Sequence, residues 1–75
     1  MTKQKIITSL EIKHERAVFY LSDQLLGLAQ SVMADPNWVP SEAHLAAIVE
    51  QRERVESAAD ALNLANEIMS AASAT

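Results

Sequence analysis

Cysteine is absent from the 75-residue chain, which rules out a disulfide framework and a thiolate site for metal or nucleophilic chemistry. Glycine occurs once and proline twice, and clusters of β-branched residues are few. With so few helix breakers and so many helix formers, the composition favours an all-α fold. No apolar run approaches the roughly 18 residues that a membrane span needs, and the polar start Met1–Lys5 leads into no signal-peptide core or cleavage site. The expectation is a cytoplasmic protein. Basic residues are also scarce: six Lys and Arg stand against ten Asp and Glu, for a net charge of −4.

Nearly half of the chain is apolar, at 49% hydrophobic and 21% charged, a balance that argues against wholesale disorder. The length suits a single domain, residues 1–75, whose one core is marginal without metal, disulfides or oligomerisation. Charge is unevenly spread. Residues 1–34 carry Lys3, Lys5, Lys13 and Arg16 against Glu11, Glu15 and Asp23, a balance of +1. Residues 35–75 carry Arg52 and Arg54 against Asp35, Glu42, Glu50, Glu53, Glu56, Asp60 and Glu67, a balance of −5. The acidic second half disfavours a phosphate backbone as partner; it suits a basic protein surface or a solvated face.

Periodicity predicts a long first helix over about residues 5–33 with two apolar stripes. One holds Ile7, Leu10, Ala17, Val18, Leu21, Leu25, Leu28 and Val32 at steps of three and four, with His14 inside it. The other holds Ile12, Phe19, Leu26 and Met33, seven apart each time and well away from the first. The helix starts either near Lys3 or Lys5, or at Ser9 with Thr8 and Glu11 as a capping box and Ile7 and Ile12 as its staple. The unbroken spacing through Ile7 favours the longer helix. Gly27 interrupts it at a cost of about 1 kcal/mol relative to Ala. That glycine either admits another helix or serves no purpose.

Residues 34–41 read as a loop. Asp35-Pro36 opens a turn, and Ser41 after Pro40 caps a second helix over about residues 42–71. Trp38 and Val39 are too apolar to stand in water. They plug the open end of a hairpin, or Trp38 anchors a partner. In helix two Ile48, Val55, Leu62 and Met69 recur every seven residues beside Leu45, Ala58, Ala59 and Ala65, a pattern for close antiparallel packing. The pairs Glu50–Arg54 and Arg52–Glu56 add (i, i+4) support. The short loop makes the helices antiparallel neighbours, with His14 near Leu62, Leu21 near Val55 and Leu28 near Ile48. The apolar arc of helix two widens past residue 60 through Leu64 and Ile68, and Ser73-Ala74-Thr75 is expected to fray.

A hairpin with a second apolar stripe needs another partner, and the simplest is a second copy. The predicted architecture is therefore an antiparallel two-helix hairpin that dimerises into a four-helix bundle. Its interface residues are Ile12, Phe19, Leu26, Met33, Trp38, Leu64 and Ile68. No catalytic arrangement accompanies the serines, so no enzyme, small-molecule substrate or cofactor is expected. Glu11-x-x-His14, with Glu15 adjacent, has the spacing seen in di-iron bundles. The predicted pairing sets Leu62 and Ala59 opposite His14, however, and no metal site is expected.

The opening Met1-Thr2-Lys3-Gln4, on an acidic dimerising hairpin, resembles that of plasmid copy-number repressors. These bind paired RNA stem-loops, and the resemblance implies an RNA face on helix one with Lys3, Lys5, Lys13, Arg16 and Phe19. In its length, charge balance and excess apolar face the chain also resembles the small inhibitors of phages and mobile elements, among them anti-activators of transcription factors. That resemblance implies a stoichiometric regulator that occludes a host protein, which is the function expected here, with nucleic acid disfavoured as partner. A structural or assembly coiled-coil subunit and an RNA-binding adaptor are the alternatives.

Overall fold

Both helices are set by side-chain caps at their N-termini. In the computed structural model, which describes residues 2–73, α1 spans Lys3–Ala34 and α2 spans Glu42–Ser73. Met1, Ala74 and Thr75 lie outside the described residues, so the expected fraying of the last two does too. Thr2 caps α1, its hydroxyl accepting the Lys5 N–H at 3.2 Å. Thr8 is thus inside the helix rather than at its start, and the staple reading of Ile12 falls away. Ser41 caps α2 in the same manner, accepting the His44 N–H at 3.1 Å. Between them Asp35 ends α1, its N–H donating to the Ser31 carbonyl at 3.0 Å. Its carboxylate accepts the Asn37 N–H at 3.1 Å and its carbonyl the Trp38 N–H at 2.9 Å, which closes the turn around Pro36.

The two helices pack on each other as a hairpin. The half-buried residues of α1 define the contact: Ile7, Leu10, His14, Ala17, Leu21, Gln24, Leu28 and Ser31. These alternate in steps of three and four, and α2 answers with Ile48, Gln51, Val55, Ala58, Leu62, Ala65 and Met69. Val18, Leu25 and Val32, read from the sequence as part of this seam, lie outside it and are exposed. Gln24 and Ser31 take the places next to them. The contact follows the geometric row along the helix, whatever the polarity of each residue on it. A reading by hydrophobicity alone drifts one position off wherever a polar residue occupies the row.

The register also differs from the expected pairing, which sets Gln51 opposite Leu25. The Gln51 amide instead donates to the Ala17 carbonyl at 3.0 Å. A groove along one side is walled by Leu10, Lys13 and Ala17 on α1 and by Arg54, Ser57, Ala58 and Ala61 on α2. Each residue of α2 thus sits more than a turn closer to the N-terminus of α1 than a symmetric hairpin allows. The cause is the connection, where residues 38–41 form no turn and carry the chain back beside the end of α1. The long dimension of 59 Å fits this stagger, since a 32-residue helix alone spans about 48 Å.

Among the described residues no hydrophobic side chain is fully buried; Gln51, 8% exposed, is the one buried residue. The Gln24 side-chain oxygen is shut away from water in the seam without a hydrogen-bond partner. Gln24→Leu, which removes that oxygen at similar volume, is expected to raise stability by about 1 kcal/mol in urea titrations. Gly27 sits in ordinary helical backbone, and a Cβ built there meets nothing within 4 Å. Gly27→Ala is therefore expected to raise stability by about 1 kcal/mol, or about 4–8 °C in melting temperature by circular dichroism.

Candidate functional site

The outer rows of the two helices are opposite in chemistry. On α2 the row facing away from the seam holds Glu53, Asp60 and Glu67, seven apart and all exposed. On α1 the equivalent row holds Ile12, Phe19, Leu26 and Met33 at the same spacing, roughly opposite the seam. Phe19 is 70% exposed, Leu26 57% and Met33 82%. An amphipathic helix ordinarily keeps its outer row polar, so the apolar row of α1 is the anomaly.

Residues around that row widen it. Val18, Leu25 and Val32 form a second exposed apolar ridge between the outer row and the seam. Between the two ridges runs a line of smaller or polar residues, Thr8, Glu15, Ser22 and Ala29. At its middle a shallow hollow is lined by Glu15, Val18, Phe19 and Ser22, with His14 behind. Four residues spaced i, i+3, i+4 and i+7 in this way make the hole that receives a side chain from a neighbouring helix. The face therefore has the relief of a helix-packing surface.

The other interface residues expected from the sequence lie elsewhere. Leu64 and Ile68 continue the rows of Ser57 and Ala61, which wall the groove beside Lys13. They are on the opposite flank of the hairpin from Val18 and Leu25, so they do not extend the α1 face. Trp38 is half-buried in the connection, edge-on to His44 with ring centroids 6.0 Å apart, while Val39 beside it is 78% exposed. The basic residues of α1 are partly gathered: Lys5, Lys13 and Arg16 surround a depression with Ile12, Gln4 and Thr8. On α2, Arg54 pairs with Glu50 at 2.7 Å and Arg52 with Glu56 at 3.9 Å, both on the surface, where such pairs contribute a few tenths of a kcal/mol.

His14 lies half-buried in the seam, and among the described residues no three His, Asp or Glu side chains are placed to hold a metal ion. Within the same residues no helix is long and apolar enough to cross a membrane. What the surface offers is area. The chain exposes 5851 Å², whereas a compact protein of 8.2 kDa exposes about 4,500 Å². Compared with protein-family models, with characterised proteins and with solved structures, the chain matches none.

Proposed function

We propose that the protein is a small, non-catalytic protein-binding regulator. It assembles as a homodimer of four helices, paired through the outer face of α1, and occludes a host protein, such as a transcription regulator, in stoichiometric amounts. The phage and mobile-element inhibitors that the chain resembles work in this way. The observation that carries this reading is the apolar outer face of α1 on a hairpin that, among the described residues, fully buries no hydrophobic side chain. Exposed patches of this kind mark interfaces, and burying Phe19, Leu26 and Met33 contributes about 1.5–3 kcal/mol each. The acidic outer row of α2, with Leu64 and Ile68 near its end, stays outward in such a dimer. It suits a basic protein surface and repels a phosphate backbone.

Light scattering at micromolar concentration is expected to give twice the 8.2 kDa chain mass, with an unfolding midpoint that rises with concentration. A mass of one chain with a cooperative helical melt sinks the dimer. Phe19→Asp combined with Leu26→Asp is expected to abolish the dimer; if the variant stays dimeric but loses its partner, the α1 face is the target site instead. Capture from a bacterial lysate on the wild-type chain is expected to retain one protein in stoichiometric amount. Recovery of RNA with steep salt dependence supports the adaptor reading instead, and recovery of self alone supports the assembly subunit.

A further inference from the structure

Resting on the dimer proposed above, the geometry points to its seam and direction: we propose that α1 packs antiparallel on α1 of a second copy, about a twofold axis level with Tyr20 and Leu21. The face is self-complementary about that level. A twofold axis there sets Phe19 of each copy against the partner's Ser22, and Ile12 against the partner's Ala29. Large residues of one ridge thus meet the small line of the other, as knobs meet holes. The hollow between Val18 and Phe19, floored at Ser22, is the central hole of this arrangement.

Charge decides the direction. The row of α1 that borders this face on its polar side holds Ser9, Arg16, Asp23 and Gln30. Arg16 and Asp23 are two turns apart, about 10 Å along one helix, too far to pair within it. Among the described residues neither takes part in an ion pair; those present are Arg52–Glu56 and Arg54–Glu50. Antiparallel packing about the proposed axis brings each Arg16 beside the partner's Asp23, twice over. On the apolar side of the face the same operation exchanges Val18 and Leu25. Parallel packing instead carries the Arg16 row to the edge where the partner's apolar Val18 and Leu25 lie, so no Arg16–Asp23 pair forms, and it sets Glu15 against the partner's Glu15, which like-charge repulsion disfavours.

Area is sufficient. The surface in excess of a compact chain is about 1,300 Å². A stable interface of standard size takes about 800 Å² from each partner. With Ile12, Val18, Phe19, Leu25, Leu26, Val32 and Met33 all exposed on the α1 face, a second copy is seated there, and Leu64, Ile68 and the acidic row of α2 remain outside the seam.

Sedimentation equilibrium tests the arrangement, with circular dichroism to confirm that helix content is kept. Arg16→Asp and Asp23→Arg, each alone, are expected to raise the dimer dissociation constant about tenfold. The double exchange Arg16→Asp with Asp23→Arg is expected to return it close to the wild-type value. A dimeric wild type whose double exchange stays as weak as the single variants overturns the seam or its direction while leaving the dimer itself intact. A wild type that is monomeric throughout removes the dimer on which the inference rests. Because the chain has no cysteine, a second measurement is available. Arg16→Cys with Asp23→Cys in one chain is expected to be cross-linked into covalent dimers by a short bismaleimide, whereas either single variant is not. A dimeric double-cysteine variant that gives no covalent product, or single variants that cross-link as efficiently as the double variant, overturns the proposal.

Discussion

The molecule depends on one narrow contact, the packing of α2 along α1 through a seam two residues wide. Each helix contributes one residue of every three or four, and several of these are alanine, serine or glutamine. Small residues let the axes approach but leave little apolar area between them. A pair of helices cannot enclose a side chain from all directions, so the seam residues are only half-buried and the exception is Gln51, held by the Ala17 carbonyl. That hydrogen bond adds about 1 kcal/mol and ties Gln51 to the level of Ala17, which helps to fix the register.

The stagger of the hairpin follows from the connection. Asp35 turns the chain with both its carboxylate and its carbonyl, and the stretch from Trp38 to Ser41 returns it alongside α1. Trp38 finds His44 there, which occupies the largest apolar side chain of the loop in a local edge-on contact. The exposed neighbour Val39 shows that the end of the hairpin is only partly closed. Stability of the single hairpin is thus spread thinly along its length, and the apolar face of α1 is the largest unspent source of burial in the chain.

Much of this was legible from residue order. Two long helices, their loop, the Ser41 cap and the surface pairs Glu50–Arg54 and Arg52–Glu56 follow from spacing and local chemistry, which act over four residues or fewer. The outer stripe of Ile12, Phe19, Leu26 and Met33 was legible as well, because seven-residue spacing survives any choice of partner. Other details were not. Polar Gln24, Ser31 and Gln51 lie in the seam, and apolar Val18, Leu25 and Val32 lie beside it, so hydrophobicity finds the seam on α1 through Ile7, Leu10, Ala17, Leu21 and Leu28 but misplaces its other members. Thr2 as the cap was hidden because Lys3 and Lys5 oppose the helix dipole in the first turn.

The residue sequence by itself determined the helices, their two-sided amphipathicity and the contrast between an apolar outer row on α1 and an acidic one on α2. These are properties of a periodic chain, set by 3.6 residues per turn. Only the tertiary structure decided that Gln24 and Ser31 rather than Val18, Leu25 and Val32 complete the row facing α2, how far the helices slide past each other, and that Leu64 and Ile68 fall on the flank away from the α1 face. Those outcomes depend on a loop path and on a hydrogen bond between residues 34 positions apart, and no local pattern encodes a contact across that distance.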